Sequence, residues 1–529
     1  MESLLFTLVP IAVILAMLVV WKQAADVSGI VGWLAISAMA YLAFQTSLEV
    51  ILRSTAAGLI RSFAVSLIVA TSLLQMAYME HTGALRRIII FIKTIACENR
   101  AVQIMMINIG FGTLMVSVGA TPVSLLPPIL VAMGYSTYVA IALPAIGYDS
   151  LCTYALLGAP IVVFVDMANA FLGKGHEITL SQAGRAFYLF LPLVSTLIGF
   201  SMLWIVGKWQ AIKDGWLPCL ITGAVIGVVA YFTNRYDNLV VLTGVLCGLA
   251  VIATMVVYLL VREKKVFDKS VLTEEERAYA QGYPLLKALT PWLLLVGLIL
   301  VLNVPQELFD YLYRILKMPV SGLTANGADI DTRALWNAYT WIFVSTILSM
   351  AFIRPTAAQL KSTVRTWLKR APRPVFSAAI FFAIGEIMNM SGYSMATGKF
   401  ETASMVKVLA DYSALYFQDA YGGVVAFIGL FGGFITGSEA STVAMFAKYT
   451  MTTAKNLNMD LFGLIIVTAG LAFGGGLASV ISPAKLQNAA ASIDKIGQEN
   501  QFIRIAFVFS LLLTAVTAIF IVIMLKATC

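Results

Sequence analysis

The chain has 529 residues, of which 60% are hydrophobic and 12% charged, and its formal net charge is +8. Soluble globular proteins are about 45–50% apolar and about 25% charged, so this chain lacks the polar surface that water requires. Its basic residues lie mostly between apolar runs, where they orient membrane spans, and they form no patch suited to nucleic acid. Composition therefore predicts an integral protein of the lipid bilayer with no nucleic-acid partner.

Cysteine and histidine usage argues against a metal or redox site. None of the five cysteines forms a CxxC pair, and the two histidines, His81 and His176, lie far apart in the sequence. Metal sites need several such ligands close together, so we expect no metal and no cofactor. No GxxxxGK[ST] phosphate loop occurs either, which disfavours an ATP-driven pump.

The first apolar run begins almost at the N-terminus. Glu2 and Ser3 precede it, it extends to about Val20, and the first positive charge, Lys22, follows it. A cleaved signal peptide would carry positive charge before its apolar core, so we interpret the run as a first span whose N-terminus lies outside the cell membrane. Since a spanning helix needs roughly 20 mainly apolar residues, candidate spans lie near 3–21, 29–47, 62–80, 184–207, 215–233, 238–261, 291–306, 335–353, 375–391, 459–479 and 502–526.

The longest charged stretch, 262–290, divides the chain into two halves. It is rich in lysine and arginine, and the positive-inside rule therefore places it in the cytoplasm. We predict a first half at 1–261, a cytoplasmic linker at 262–290 and a second half at 291–529.

Glycine, proline and hydroxyl residues interrupt two apolar regions, 103–171 and 423–498. Irregular backbone at membrane depth is tolerated only where protein buries it or where it lines a cavity. We therefore predict a re-entrant helical hairpin followed by a broken helix in each half. The hairpins are expected at about 103–134 and 423–455, and the broken helices at about 136–171 and 459–498, with linking spans after the first and a final span after the second.

The two interrupted regions resemble each other. A Phe-Gly pair at 111–112 precedes the first break and another at 431–432 precedes the second, an offset of 320 residues (431 − 111). The later prolines, Pro160 and Pro483, differ by 323 residues (483 − 160). Close packing of small residues and simple proline kinks would explain any one break, but they explain four breaks in paired positions poorly. The pattern predicts two repeats, inverted if the third span runs inward, and interrupted segments at matching positions indicate a transporter's binding site.

Each break starts a new half-helix whose free N–H groups point at whatever occupies the gap. Thr121-Pro122 and Ser482-Pro483 both read as a helix cap followed by the first helical residue. We place no arginine or lysine at membrane depth, so helix ends and hydroxyls would hold a small anion such as a carboxylate. The predicted substrate-binding residues are Gly119, Thr121, Gly158, Ser438, Ser441, Thr442 and Ser482.

Four acidic residues lie in apolar surroundings: Asp149, Asp166, Glu386 and Glu439. Carboxylates inside a membrane are costly and usually functional. Asp149 and Glu439 each lie beside a break, so we predict that they couple transport to protons or another cation. The alternative is that each acid only accepts hydrogen bonds from a neighbouring helix end. Asp166 is expected near an interface, where water solvates it.

At these residues the sequence resembles the lactate permease family. The matching segments are VGATP at 118–122, GAPI at 158–161, FGGFITGSEASTVAMF at 431–446, and ISP at 481–483 followed by alanines at 489–491. The resemblance implies a secondary transporter of lactate, glycolate or another 2-hydroxy monocarboxylate, usually coupled to protons. It also suggests kinship with the ion-transporter superfamily, which implies inverted repeats, paired re-entrant hairpins, an elevator-like moving domain and a homodimer.

The sequence departs from the family pattern around the predicted site. Glu439 stands where the family usually has aspartate, Val443 replaces an asparagine, and Tyr148-Asp149 replaces an Asn-Thr pair. These departures keep a different small carboxylate open as the substrate.

The sequence therefore predicts an all-α, polytopic transmembrane protein that is a transporter and not an enzyme. The expected mechanism is proton symport with elevator-like alternating access. A sodium-coupled carrier of another small organic anion and an anion channel remain alternatives. An enzyme would need a nucleophile–base pair or a metal cluster, and the sequence shows neither.

Overall fold

The computed structural model describes the chain except for residues 1, 22, 97, 121, 174, 483, 484, 487, 488, 491, 494, 496–498 and 529. Helices make up most of this part of the chain. Its strands form two short antiparallel ladders, Pro319–Val320 (β1) with Ile330–Asp331 (β2) and Tyr393–Ser394 (β3) with Lys399–Phe400 (β4). Ten helical segments among the described residues are long and apolar enough to span a membrane. The prediction of an all-α polytopic membrane protein is confirmed.

The first half begins with a group of packed spans and continues into interrupted helices. The spans are α1 Glu2–Val19, α2 Ala25–Leu42 and α4 Phe63–His81, and two shorter amphipathic helices are α3 Leu48–Arg61 and α5 Ala84–Lys93. The interrupted helices are α6 Arg100–Ile104, a π-helical stretch Met105–Phe111, α7 Gly112–Ser117, α8 Pro122–Ala132, α9 Thr137–Gly147, a 3₁₀ segment Tyr148–Tyr154 and α10 Ala155–Leu172.

Among the described residues, four further helices lie between the first interrupted region and the spans of the second half. These helices are α11 Leu180–Phe187, α12 Leu191–Thr233, α13 Thr243–Val261 and α14 Glu274–Gly282, with 3₁₀ turns at Tyr188–Phe190, Val240–Leu242 and Lys269–Val271. The backbone is non-helical at Gly207 and Lys208, and the two arms of α12 fold back on each other there. The Cys219 thiol of the second arm donates a hydrogen bond to the Thr196 carbonyl of the first, at 3.3 Å.

The second half begins with a further group of spans and shorter helices. Its first helices are α15 Leu285–Asn303, α16 Gln306–Asp310, a π-helical turn Tyr311–Ile315, α17 Ala338–Ile353, α18 Ala357–Arg370 and α19 Pro372–Met390. They are followed by α20 Met405–Phe417, a 3₁₀ turn Gln418–Ala420, α21 Tyr421–Thr436, α22 Glu439–Asn456, α23 Leu461–Leu477, a 3₁₀ turn Ala478–Ile481 and α24 Glu499–Thr528.

Two consecutive helices of the first half have counterparts of equal length in the second. Helices α3 and α18 both have 14 residues, and α4 and α19 both have 19. Both pairs are offset by the same 309 residues (357 − 48 and 372 − 63). The members of each pair also share their character, because α3 and α18 are both amphipathic whereas α4 and α19 are both mainly apolar.

Candidate functional site

The tip between α21 and α22 is built from glycine and hydroxyl residues. Gly437 ends α21 with φ +69°, a conformation that costs glycine nothing, and Ser438 caps α22 by accepting a hydrogen bond from the Ser441 amide. The Thr442 hydroxyl donates to the Ser438 carbonyl at 2.8 Å. Ser438 is partly exposed, whereas the Ser441 hydroxyl is fully buried and has no hydrogen-bond partner among the described residues. The tip therefore holds one capped helix end and one free hydroxyl.

Glu439 is the first residue of α22, and its carboxyl group is only 3% exposed. The Thr153 hydroxyl donates to its Oε1 at 2.6 Å. Its Oε2 is buried without a hydrogen-bond partner in the described part of the chain. A Cβ built on Gly476 of α23 would lie 2.7 Å from this Oε2 and 3.2 Å from Cys152 Cβ. Glu439 thus joins the second hairpin to the first broken helix, in a space that exists because residue 476 has no side chain.

The first broken helix supplies the partner of Glu439. Its 3₁₀ segment carries Asp149, which is 2% exposed and takes part in a polar interaction, and Thr153, which is fully buried. After it, Leu156, Leu157 and Gly158 have positive φ angles, so regular helix resumes only beyond Gly158. Three consecutive residues in the left-handed conformation interrupt the helix. Their backbone N–H and C=O groups therefore lie in the protein interior outside regular helix.

The second break lies opposite the second hairpin tip. Ser482 follows the 3₁₀ turn that ends α23, and it is 4% exposed. A Cβ built on Gly437 would lie 3.8 Å from its hydroxyl oxygen. Ser482 and the second hairpin tip therefore face each other directly, while Pro483 lies outside the described residues.

The first hairpin tip has a different environment. Gly119 has φ +88°, and a side chain there would meet Ser72 of α4 and Ile342 of α17. Gly158 packs instead on Val241, whose Cα would lie 3.2 Å from an added Cβ. Thr121 lies outside the described residues.

The predicted residues thus divide into two groups. Ser438, Ser441, Thr442, Glu439 and Ser482 meet at the second tip, and the Thr153–Glu439 hydrogen bond ties this group to the break that holds Asp149 and Gly158. Gly119 lies against the spans of both halves.

Sequence reasoning missed three residues of the site, Thr153, Cys152 and Gly476. The first two belong to the run YDSLCTY, whose concentration of polar groups within apolar flanks was the available signal. Gly476 sits in a glycine triplet at 474–476 and gave no sign of its partner, because Glu439 belongs to a different helix.

Comparisons with known proteins show what the chain is similar to. The family model for L-lactate permease matches residues 3–527. The chain is 22% identical to the L-lactate permease of Escherichia coli (strain K12) over 450 residues, which cover 80% of this chain and 77% of that protein. It is 23% identical to the glycolate permease GlcA of the same organism over 462 residues, with 80% and 78% covered. It is 21% identical to the L-lactate permease of Bacillus subtilis (strain 168) over 463 residues, again with 80% and 78% covered.

These relatives are permeases, so the prediction of a transporter and not an enzyme is confirmed. The family match extends over nearly the whole chain, and it includes both interrupted regions and both groups of spans. The chain belongs to the L-lactate permease family.

Proposed function

We propose that this transporter carries a small 2-hydroxy monocarboxylate such as L-lactate or glycolate across the cell membrane by proton symport. The named substrates of its relatives support the substrate class. The observation that carries the coupling is Glu439, a buried carboxyl group with one hydrogen-bonded oxygen and one free oxygen at the meeting point of a hairpin tip and a helix break. The N-terminus lies outside in this proposal.

The substrate carboxylate binds at the helix ends. The N-terminus of α22 offers backbone N–H groups and the positive end of an 18-residue helix, which favour an anion. Ser438, Ser441 and Ser482 offer hydroxyl groups beside it, and Gly119, Thr121, Gly158 and Thr442 complete the proposed site. The free Ser441 hydroxyl suits a ligand oxygen in particular, because a buried hydroxyl without a partner is costly.

Glu439 carries the coupled proton. A buried carboxylate with no donor to one oxygen is expensive to keep charged, and a proton on that oxygen removes the cost. Asp149 is the second coupling residue in this proposal, because it belongs to the same broken helix as Thr153. Transfer of the proton from one side of the membrane to the other then accompanies the substrate.

In this proposal, two inverted repeats make possible the movement that carries the substrate across the membrane. Val50 packs in one cluster with Met390, and Gly58 lies against the backbone of Ala383, so α3 runs antiparallel to α19. Helices α18 and α19 meet at an angle of 40° and so continue in one general direction. Counterpart helices α3 and α18 therefore run opposite ways, which supports inversion. The proposed cycle moves the two hairpins and broken helices against the spans of a homodimer.

Proteoliposome uptake tests the proposal. Purified protein should accumulate labelled L-lactate or glycolate when a proton gradient is imposed, and a sodium gradient alone should not drive accumulation. Glu439→Gln cannot exchange a proton, so it should abolish accumulation while it retains counterflow of labelled for unlabelled substrate. Glu307→Gln, at an exposed position, is the matched control and should behave as the unaltered protein.

Three outcomes would contradict the proposal. Accumulation driven by sodium alone would make the transporter a sodium symporter. Proton-driven accumulation by the Glu439→Gln variant would remove Glu439 from the coupling path. Absence of saturable counterflow in the unaltered protein would favour the channel alternative.

A further inference from the structure

A cluster of three ionisable side chains lies away from the proposed substrate site. Arg61 ends α3, Glu386 belongs to α19, and Lys448 lies near the middle of α22. Helices α19 and α22 approach each other closely there, since a Cβ on Gly385 would lie 2.9 Å from the Met445 Cα. Helix α3 belongs to the first half, α19 belongs to the second half, and α22 belongs to the second hairpin.

The cluster contains two cations and one carboxylate. Arg61 Nε lies 3.8 Å from Glu386 Oε2, beyond hydrogen-bond distance, and it is buried without a hydrogen-bond partner among the residues that the structure describes. The Arg61 and Glu386 side chains are 14% and 13% exposed. Lys448 interacts electrostatically with both, attracted by Glu386 and repelled by Arg61. Its ammonium group makes no ion pair or hydrogen bond within the described residues, and the residue remains partly exposed.

Such an arrangement is unfavourable unless an anion joins it. A charge in a poorly hydrated interior is costly unless it is paired and hydrogen-bonded. One carboxylate can neutralise only one of two cations, so the cluster retains one positive charge and at least two unused donors. A monoanion with two oxygen acceptors, such as a carboxylate, matches both the charge and the donors.

The cluster lies on the same stripe of α22 as the Ser441 hydroxyl. Residues 441 and 448 are seven positions apart, which places them on one helix face about 10 Å from each other. Ser441 itself is buried and has no partner among the described residues. This face of α22 therefore extends from the three charged side chains to the second hairpin tip.

We propose that Arg61, Glu386 and Lys448 form a second binding site for a small monocarboxylate, on the route between the membrane surface and the second hairpin tip. This inference rests on the proposed function, because it assigns the same class of substrate to the new site. Glu386 in this site orients Arg61 and limits how tightly the anion is held, so that the substrate can leave.

Uptake kinetics with charge variants test the site. Lys448→Gln should raise the KM for L-lactate or glycolate about tenfold, with a much smaller change in the maximal rate, because it removes a charged hydrogen-bond donor. Lys448→Arg should retain a KM close to that of the unaltered protein. Glu386→Gln should lower the KM, since it leaves both cations for the substrate.

The opposite signs of the two changes separate this role from a structural one. A purely structural cluster would lose activity and thermal stability in both variants. Lys455→Gln is the matched control, because it makes the same change at an exposed position seven residues further along α22. It should leave KM unaltered.

The outcomes also separate this inference from the function on which it rests. No uptake by the unaltered protein would overturn the proposed function itself. Normal uptake with an unchanged KM in Lys448→Gln would overturn only the second site. If that variant instead loses a thermal stabilisation that phosphatidylglycerol gives the unaltered protein, the occupant is a lipid phosphate and the proposal is wrong. If Glu386→Gln fails to fold, the Lys448→Gln and Lys448→Arg pair still decides.

Discussion

At the residue scale, Gly476 makes the space that Glu439 occupies. An alanine methyl group at this position would lie 2.7 Å from Glu439 Oε2, well inside contact distance. We expect Gly476→Ala to displace the carboxyl group from Thr153 and to reduce proton-driven uptake more than tenfold. The helix itself should tolerate the change, because alanine is the better helix former by up to about 1 kcal/mol. The measurement is initial uptake rate in proteoliposomes together with the Tm in detergent.

Gly297 provides the matched control for this substitution. It lies in α15, and a Cβ added there would meet nothing within 4 Å. Gly297→Ala should therefore leave uptake unaltered and Tm equal or slightly higher. Normal uptake by Gly476→Ala would mean that the position of the Glu439 carboxyl group does not matter for transport.

Contacts between residues that are distant in the sequence could not be predicted. Glu439 was predictable because an acid beside a glycine–serine break in an apolar run is unusual. Its hydrogen-bond donor Thr153 was not, since the two residues are 286 positions apart and only the fold brings them together. The Arg61–Glu386–Lys448 cluster escaped for the same reason. In the sequence, Arg61 and Lys448 each look like an ordinary charge beside an apolar run. Only the packing of α19 between α3 and α22 brings these two residues close to Glu386.

At the element scale, the linker helix α14 is fastened to α5 by two ion pairs of different burial. Lys93 Nζ lies 2.5 Å from Glu276 Oε1, and these side chains are only 12% and 19% exposed. Arg86 and Glu275 are paired at the same distance but are 53% and 80% exposed. The buried pair should hold the linker, because exposed ion pairs contribute little.

Glu276→Gln isolates the contribution of the buried pair. Glu276 also closes a capping box with Thr273, and glutamine can keep that reciprocal bond while it loses the charge. We expect hydrogen exchange in α14 to become faster, equivalent to a loss of about 1 kcal/mol of local stability. Glu275→Gln should leave the exchange almost unaltered. Equal effects of the two substitutions would show that burial does not distinguish the pairs.

The same pair gives the linker a pH dependence. Burial raises the pKa of Glu276, whereas the hydrogen bonds from Lys93 and from the Thr273 backbone lower it. Together the hydrogen bonds outweigh burial, so the pKa lies below its ordinary value of 4.5. A carboxyl group whose pKa falls on docking stabilises the docked state above its ordinary pKa and loses that contribution as pH falls through the lower value. The protection of α14 against exchange, expressed relative to the intrinsic exchange rate at each pH, should therefore fall below about pH 4.5, and this fall should be absent in Glu276→Gln.

Elements were more predictable than contacts. Glycine and proline predicted where the helices are interrupted. At the second tip, for example, Gly437 ends one helix and Ser438 caps the next. The fold-back in α12 was expected as two separate spans, although the connection is only a kink at Gly207 and Lys208. The left-handed residues Leu156 and Leu157 were not predictable, since leucine rarely adopts positive φ and tertiary packing must impose it.

At the scale of the whole molecule, the two halves are joined through side chains from distant parts of the chain. Gln75 of α4 donates a hydrogen bond to Ser345 of α17 at 3.1 Å. Arg373, at the start of α19, forms a bidentate pair with Asp26 near the start of α2. In each of these two contacts, a helix of the first half pairs with a helix of the second half. A duplicated chain would bury its spans in this way, and the equal offset of α3 and α4 from their counterparts agrees with that origin.

Arg333 makes the most elaborate of these connections. It is 7% exposed, and its guanidinium group donates to Asp166 of α10 at 2.8 Å and to the Tyr313 carbonyl at 3.0 Å, while it also lies over the Tyr313 ring. Asp166 was expected to be solvated by water, and the structure shows it partly exposed and paired with Arg333. The loop between α16 and α17 is thereby attached to the helix that follows the first break.

Arg333→Gln should weaken this attachment strongly. It leaves Asp166 and Asp331 without their common cation and the Tyr313 carbonyl without its donor, and we expect a loss of about 2–3 kcal/mol, seen as a fall in Tm. Lys317→Gln is the control, because Lys317 contacts the same Asp331 at 3.2 Å from an exposed position and should cost less than about 0.5 kcal/mol. A similar fall in Tm for both would mean that the loop is held by general charge balance. A fall confined to Arg333→Gln would show that this buried guanidinium fastens its loop to α10, so any movement of α10 during transport must break this contact or carry the loop along.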